Sequence, residues 1–478
     1  MLLQTCGLAK VPSYSKINLM KKIWIYFAIL TLLASNALAF DLGIEGERIY
    51  LHASEEPLQN ILRGIAQQGI RVRIDPQVNP RVSAVFENRD IGEVIAAIVK
   101  PYDNALVWEK APQKSSSFRL SEIQIFRPGK KKMIQDLKPR AFSLAMDPKD
   151  GKSFVRDEFL LRVKSGLDLE RYLKMVGGVV IDKNEALGIY KVSVPHDSDI
   201  PAIVAMINAL PGDVQAAPDF AYHVPSLYRA ELSLPISEIP KVFQGNGKVP
   251  VAVLDTGLTM GIGPEGFVIA SLDAVIPSQR ISDDLGHGTQ MALLASGLVK
   301  PIGAEAADGG QIPVVAVRAM DDNGYTSDFT ILKGIDFAIG AGAGVMSLSW
   351  GSEQPSDFLK IILDYTASKG MIIVASAGNE PTGRPVYPAA YPAVIGVGAE
   401  YHSGKIWEQS NYGSFVALYA PGFASFPVGY KGGPGIYGGT SISAAYTANL
   451  IADYWSKHPG SSAQQIKDAV KNKKLFGL

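Results

Sequence analysis

Hydrophobic spacing divides the chain into three folded regions, and the first of them mixes helical and strand-like periods. In residues 41–128, apolar positions at i, i+3, i+4 and i+7 from Leu58, and similar spacing from Ile91, predict two helices. Alternating apolar positions before, between and after these helices predict strands in the order β-α-β-β-α-β. The first region is therefore predicted to be a small α+β domain.

The second region, residues 155–225, repeats this mixed pattern. Alternation from Phe159 predicts a strand, helical spacing from Ile203 predicts a helix, and further strands lie between them. A second small α+β domain is expected here. The charged, unpatterned residues 129–150 predict a linker between the two domains.

The third region, residues 236–478, has a different pattern. Its strands are continuously apolar, as in Val249–Leu254, Val345–Ser349 and Met371–Ala375, and they alternate with helical segments. Strands that are apolar on both faces indicate a parallel sheet covered by helices on both sides. The fold class is therefore α/β, and the carboxyl ends of the strands should gather at one edge, where ligands bind.

The composition is that of a globular protein and narrows the function classes. The chain has 478 residues, 47% of them hydrophobic, and equal numbers of basic and acidic residues, 46 of each. A net charge of zero gives no reason to expect a nucleic-acid partner. The single cysteine, Cys6, cannot form a disulfide within the chain or build a zinc site, so no metal ligands are assigned.

An export signal is predicted at residues 20–39. A basic start at Met20, an apolar run and small residues up to Ala39 form the three-part pattern of a cleaved signal peptide. On this interpretation Met20 is the start of the protein and residues 1–19 are not translated. The mature protein would be exported, and the sequence does not distinguish the periplasm from the extracellular medium.

Three motifs in the third region hold residues suited to nucleophilic acyl transfer. Asp255 ends Val-Ala-Val-Leu-Asp-Thr-Gly, His287 lies in Gly-His-Gly-Thr, and Ser441 lies in Gly-Gly-Thr-Ser-Ile-Ser. A serine hydroxyl needs a base to accept its proton, and the base needs a carboxylate that fixes its tautomer. Each motif alone has an ordinary interpretation, as a turn, a packed histidine or a helix N-cap, but their order separates them from other common triads.

In this order and setting the third region resembles the subtilisin-like serine proteases. The resemblance implies that Asp255, His287 and Ser441 are catalytic. It also implies that Asn379, in Ala-Ser-Ala-Gly-Asn-Glu, donates its amide to the oxyanion together with the Ser441 N–H group.

Five further residues are expected to bind substrate because they match two family segments. The strand Ser-Leu-Ser-Trp-Gly-Ser would pair with an extended peptide, and the segment before Asn379 would line the pocket. These substrate-binding residues are Ser349, Trp350, Gly351, Ala377 and Gly378.

The sequence departs from the family pattern around two of the motifs. Ile442, Ser443 and Ala445-Tyr446 replace the usual residues after the serine, and Gln290 replaces the usual second histidine. None of these positions supplies a proton or an oxyanion donor, so altered geometry or specificity is expected before lost chemistry. An inactive subtilase-like binding protein of the cell envelope remains the alternative, and an esterase with the same triad is a second one.

The two smaller regions carry resemblances of their own. Residues 155–225 resemble the propeptide of subtilisin-like proteases, which implies a precursor whose tail enters the cleft and is cut between His223 and Pro235. Residues 41–128 resemble the N-terminal domain of secretins, which implies a cell-envelope protein as partner; a generic spacer is the alternative. Protein or peptide substrates and the chain's own propeptide are the other expected partners. No cofactor is expected to be required, and the ligands of a structural calcium ion, common in the family, are not assigned.

Overall fold

The structure is a computed structural model that divides the chain into two compact units, residues 1–139 and 140–478. The structure describes residues 40–45, 47–110, 118–137, 141–147, 149–164, 169–196, 198–230, 235–304, 310–430 and 432–471. The predicted signal peptide, residues 20–39, and residues 1–19 lie outside the described residues. No described helix is long and apolar enough to cross a membrane.

The first unit is an α+β domain with two sheets. Its elements are β1 (Phe40–Glu45), β2 (Arg48–Pro57), α1 (Leu58–Gln67), β3 (Arg71–Ile74), β4 (Arg81–Asp90), α2 (Ile91–Ile98), β5 (Asp103–Lys110), β6 (Phe118–Phe126) and β7 (Gln135–Asp136). The strand orders are β1-β2-β4 and β5-β6-β3-β7. Strand β1, which the sequence analysis missed, precedes the expected order of elements.

Both helices of this unit bury the faces that their spacing predicts. In α1 the positions repeating from Leu58 are fully buried, and in α2 the four buried residues repeat from Ile91. Helix α2 begins after Asp90, whose carboxylate accepts a hydrogen bond from the Glu93 N–H group. The cap satisfies a backbone donor that has no partner within the helix.

The second unit begins with a smaller α+β region. Its elements are β8 (Leu144–Met146), β9 (Ser153–Val163), α3 (Leu169–Val176), β10 (Val179–Asn184), β11 (Ile189–Ser193), α4 (Ile200–Asn208) and β12 (Val214–His223). The strands form the order β10-β11-β9-β12, and β8 pairs with β9. Residues 129–150, predicted as a linker, are not free of structure, because β7 pairs with β3 and β8 pairs with β9.

The remainder of the second unit is the α/β region predicted from the continuous apolar strands. Its elements are β13 (Tyr228–Ala230), β14 (Val251–Asp255), β15 (Val268–Asp273), α5 (His287–Ala295), β16 (Val314–Arg318), β17 (Tyr325–Ser327), α6 (Asp328–Gly340), β18 (Val345–Leu348), α7 (Asp357–Ser368), β19 (Ile372–Ser376), β20 (Val394–Glu400), β21 (Val416–Pro421), β22 (Phe423–Phe426), β23 (Gly435–Gly438), α8 (Thr440–Lys457) and α9 (Ala463–Lys471).

A seven-stranded parallel sheet organises this region, in the order β15-β16-β14-β18-β19-β20-β21. Alternate residues of β14 enter two separate hydrophobic cores: Val251 and Val253 pack in the core that contains α5 and α8, and Ala252 and Leu254 in the core that contains α6 and α7. Helices therefore cover both faces, as predicted. Strand β14, which ends at Asp255, lies near the middle of the sheet.

Candidate active site

The carboxyl edge of the sheet brings the first two motif residues together. Asp255 ends β14 and His287 begins α5, and both side chains are buried. The His287 ring donates from Nδ1 to Asp255 Oδ1, with 2.6 Å between the two atoms. Asp255 Oδ1 also accepts the Thr256 N–H group at 2.7 Å, which fixes the carboxylate. This contact holds the imidazole in the tautomer that leaves Nε2 able to accept a proton.

Glycines allow this close approach of helix and strand. Gly286 precedes α5 at a φ of 84°, and a Cβ there would lie 2.1 Å from the Gly429 carbonyl oxygen. A Cβ on Gly288 would lie 2.4 Å from the Gly257 carbonyl oxygen. Gly288 is thus required where the chain passes the turn that follows Asp255, and Gly286 is required where it passes Gly429.

Sequence reasoning missed Asp283, which ties these two segments together. Its carboxylate accepts hydrogen bonds from Thr256 Oγ1 at 2.8 Å, Gly286 N at 2.8 Å and Thr289 N at 2.7 Å. Asp283 lies four residues before His287, and Gly286 holds the N-cap position, so no local cap pattern marks this aspartate in the sequence.

Ser441 lies in the first turn of α8 and is buried. Its hydroxyl donates to the Ser349 carbonyl oxygen over 3.5 Å, a long contact. His287 Nε2 is buried and has no hydrogen-bond partner among the described residues. The expected hydrogen bond between the hydroxyl and the imidazole is therefore not formed in this structure.

Asn379 follows β19, and its amide is held in one orientation. Its Oδ1 accepts from the Thr440 N–H group and from Thr440 Oγ1, each at 2.9 Å. Its Nδ2 donates to the Ser226 carbonyl oxygen at 3.1 Å. Because both hydrogen bonds from Thr440 go to Asn379 Oδ1, the Nδ2 donor is directed at a main-chain carbonyl oxygen, the orientation that an oxyanion donor requires.

The Ser226 carbonyl belongs to a segment that runs through the site. Ahead of it, β12 pairs antiparallel with β17, from Ala221 opposite Ser327 to His223 opposite Tyr325. The Val224 N–H group continues this pairing to the Gly324 carbonyl oxygen at 2.9 Å. After it, β13 pairs antiparallel with β23. The chain's own strand therefore occupies the site on both sides of Ser226.

A cavity of about 560 Å³ adjoins Ser226, and only part of the expected binding set lines it. Gly351 and Gly378 line this cavity, together with Asn379 and Glu380.

The other three predicted binding residues contact the site differently. Ser349 contributes its carbonyl oxygen to the Ser441 contact, and the Trp350 ring packs against Tyr222 of β12 with 5.3 Å between centroids. Ala377 does not line the cavity; its backbone bonds to Val397 and Asn411 and supports Gly378.

Two buried carboxylates lie where β12 meets α6. Asp219 Oδ1 accepts the Phe329 N–H group at 3.0 Å, and Asp328 accepts the Tyr222 hydroxyl at 2.7 Å. Burial raises the pKa of Asp328 to about 8 and that of Asp219 to about 6. The Lys191 ammonium, 4.0 Å from Asp219, offsets only part of this rise in the pKa of Asp219.

The departures from the family pattern are packing positions. Gln290 donates from Nε2 to the Val428 carbonyl oxygen at 2.7 Å, and Ser443 donates to the Ala420 carbonyl oxygen at 2.9 Å. Ile442 lies in the hydrophobic core. Each contact holds backbone or fills space beneath the site. No group of three or more His, Cys, Asp or Glu side chains that could hold a metal ion occurs in the described part of the chain.

Comparison with known proteins identifies the family. Residues 246–476 match the Subtilase family. Subtilisin NAT from Bacillus subtilis subsp. natto is 30% identical over 275 residues, which are 54% of this chain and 71% of the relative. The chain belongs to the subtilase family. A thermophilic serine proteinase from Bacillus sp. (strain AK1) is 27% identical to this subtilase over 332 residues, 67% of this chain and 82% of the relative. By family and by these relatives, the subtilase is a serine endopeptidase.

A second match covers the region ahead of the peptidase domain. Residues 141–218 match the fervidolysin N-terminal prodomain. The solved structure of fervidolysin from Fervidobacterium pennivorans, a keratinolytic enzyme related to subtilisin, shares the fold with a TM-score of 0.56 and 21% identity, over 70% of this chain and 60% of that one. The subtilase therefore has a prodomain. The resemblance of residues 41–128 to secretins stays a prediction.

Proposed function

We propose that this subtilase is made as a precursor that hydrolyses peptide bonds through Asp255, His287 and Ser441. The observation that carries the proposal is the 3.1 Å contact between Asn379 Nδ2 and the Ser226 carbonyl oxygen. It puts a main-chain carbonyl, the group that a serine protease attacks, against the donor that would hold its oxyanion. The strand pairing on both sides of Ser226 favours a polypeptide over a simple ester as substrate.

In the proposed mechanism, His287 Nε2 accepts the proton of the Ser441 hydroxyl as its oxygen attacks the carbonyl carbon. Asp255 holds the ring through Nδ1 and stabilises the imidazolium. The oxyanion is held by Asn379 Nδ2 and by the Ser441 N–H group in the first turn of α8, where backbone N–H groups lack partners within the helix. The imidazolium then protonates the leaving amine, and water hydrolyses the acyl-enzyme.

The same contact indicates which peptide bond would be cleaved in self-processing. The sequence predicts cleavage between His223 and Pro235, and the carbonyl held by Asn379 is that of Ser226. The proposed scissile bond is therefore Ser226–Leu227. Cleavage there would leave a mature protein that begins at Leu227.

Expression of the full chain and of its Ser441→Ala variant tests this proposal. We expect the unmodified chain to yield a fragment whose N-terminal residue is Leu227, found by intact mass and N-terminal sequencing, and the variant to remain uncut. A variant that is still cut when expressed in a protease-deficient host would overturn self-processing. A fluorophosphonate probe, which labels only an activated serine, separates the enzyme from an inactive binding protein.

We further propose that the precursor is exported. The support is the three-part pattern of residues 20–39. Mass analysis of protein recovered from periplasm and medium would show cleavage after Ala39 and the final compartment. A cell-envelope partner for residues 41–128 stays a prediction, and co-purification with and without that region would test it.

A further inference from the structure

Three consecutive residues around the proposed scissile bond differ sharply in burial. Ser226 is exposed, Leu227 is only 8% exposed, and Tyr228 is 46% exposed. The cavity beside Ser226 is left unfilled by so small a side chain. Of the two side chains that flank the proposed scissile bond, the buried one is therefore that of Leu227, on the leaving-group side.

Leu227 lies in a recess bounded by Gly439, the residue that precedes α8. A Cβ on Gly439 would lie 2.7 Å from Leu227 Cδ2 and 3.2 Å from Asn379 Nδ2. Gly439 has φ 165°, extended backbone that any residue adopts, so space is the reason for glycine here. Leu227 also belongs to the main hydrophobic core of the peptidase domain. An aliphatic side chain here is thus removed from water by the enzyme itself.

Strand pairing fixes the register of this recess. Tyr228 lies opposite Gly438, and the pairing continues to Ala230 opposite Ile436. Leu227 directly precedes β13 and its side chain is buried, whereas the Tyr228 side chain is 46% exposed. Backbone pairing with β23 therefore places the residue that follows the scissile bond, whatever its identity, at the recess.

We propose, on the basis of the proposed function, that the site selects substrates that have a large aliphatic residue directly after the scissile bond. The recess beside Gly439 binds that side chain, and β23 pairs with the residues that follow it. Hydrolysis breaks the C–N bond before this residue, and its amine leaves with the proton from His287. The selected substrates are polypeptides with Leu or a similar residue at the new N-terminus.

Internally quenched peptides based on the chain's own segment, His-Val-Pro-Ser-X-Tyr-Arg-Ala, test the proposal with the processed enzyme obtained from the full chain. We expect kcat/KM with X as Leu to exceed that with X as Ala by at least about tenfold, and X as Asp to be worse still, because contacts with an apolar pocket discriminate at this level. Equal values for Leu, Ala and Asp would overturn this inference and leave the proposed function standing. If the enzyme cleaves none of the peptides and does not cleave casein, both this inference and the proposed function are overturned.

A matched pair of variants locates the selectivity. Gly439→Ala should fill part of the recess and lower the Leu-to-Ala ratio by at least about threefold, in line with loss of a methyl-sized space. Gly433→Ala, where a Cβ would meet nothing within 4 Å, should leave the ratio unchanged. We use the ratio of kcat/KM for the Leu and Ala peptides because any effect of Gly439→Ala on Asn379 lowers both values equally and cancels in the ratio.

If Gly439→Ala does not fold, the full chain supplies a second readout. Self-cleavage should be slowed at least about tenfold by Leu227→Asp and little changed by Leu227→Ile, which keeps the aliphatic volume. Equal rates for these two variants would overturn the inference.

Discussion

At the scale of single residues, one amide is held in the orientation that its proposed role as oxyanion donor requires. Two hydrogen bonds from Thr440 hold Asn379 Oδ1, so Nδ2 is already directed at a carbonyl oxygen before any charge develops. A donor fixed in this way needs no reorganisation in the transition state.

Asn379→Ala should lower kcat by about 10²–10³-fold and change KM little, because the oxyanion forms only in the transition state. Steady-state kinetics on a peptide substrate measure the effect. Thr440→Val, which removes the hydroxyl contact and keeps the N–H contact, should cost only about fivefold, the value of one ordinary hydrogen bond. A kcat for Asn379→Ala equal to that of the unmodified enzyme would rule out its role.

The residue before the scissile bond gives a second prediction at this scale. Ser226 leaves the adjoining cavity unfilled, so a peptide with Met in its place should bury more apolar surface. We expect kcat/KM to rise at least about tenfold, since burying such a side chain contributes about 1.5–3 kcal/mol. A rate no higher than that of the serine peptide would mean that the cavity does not receive this side chain.

The motif residues could be predicted as catalytic candidates because their spacing and order are local or sequential properties. The long contact from Ser441 to Ser349, and the bridging role of Asp283, could not be. Both depend on where side chains from separate elements meet, which the sequence pattern does not encode.

At the scale of elements, the pairing of the chain's own strands indicates how an extended substrate would be recognised. Strands β12 and β13 of the chain's own tail pair with β17 and β23, which flank the reaction centre. Backbone pairing of this kind gives affinity to any extended peptide, and pockets for particular side chains give selectivity.

Shortening a peptide substrate should therefore weaken its binding. An amidated peptide that ends at the position of Tyr228 loses the two pairs opposite Tyr437 and Ile436. We expect KM to rise about threefold to tenfold, the value of one or two net hydrogen bonds, with kcat nearly unchanged. Unchanged KM on truncation would show that β23 does not take part in binding.

The long elements were predictable and the short ones were not. Strands of the parallel sheet such as β14 and β19 follow from their continuous apolar runs. Strands β13, β17 and β23 contain three or four residues each. Segments this short carry no readable period, and they become strands only because a distant part of the chain pairs with them.

At the scale of the whole molecule, the prodomain buries charge against the peptidase domain. Strand β12 covers Asp328, and its own Asp219 accepts a hydrogen bond from the first turn of α6. Glu158 and Lys191 of the prodomain lie beside this pair, and the ammonium is 2.7 Å from the glutamate. Glu158 and Asp219 thus share the Lys191 ammonium, whereas Asp328 is held by the hydroxyls of Tyr222 and Ser356.

This arrangement predicts that the cleaved prodomain binds more tightly in acid. Asp328 has a pKa of about 8 and Asp219 of about 6 in the complex, and both should return to about 4 when the parts separate. The complex therefore holds protons that the separated parts release, so its stability is fully present below about pH 4 and is lost as the pH rises toward 8.

Titration of prodomain binding measures this effect. Between pH 6 and 8 the dissociation constant should rise by at most about tenfold per pH unit through Asp328. Asp328→Asn should flatten the profile, whereas substitution of the exposed Asp357 by Asn should not. A dissociation constant that falls with rising pH would contradict the assignment.

Strand β13 has a kinetic consequence for other polypeptides. Being tethered, the internal segment competes with them at an effective concentration in the millimolar range. After the proposed cut, the new amino terminus would still lie along β23, and the cut end of the prodomain would still lie along β17. We therefore expect turnover of foreign protein to begin with a lag. Its length would be set by departure of the prodomain end from β17 and by displacement of the enzyme's own amino terminus from β23, and not by bond cleavage.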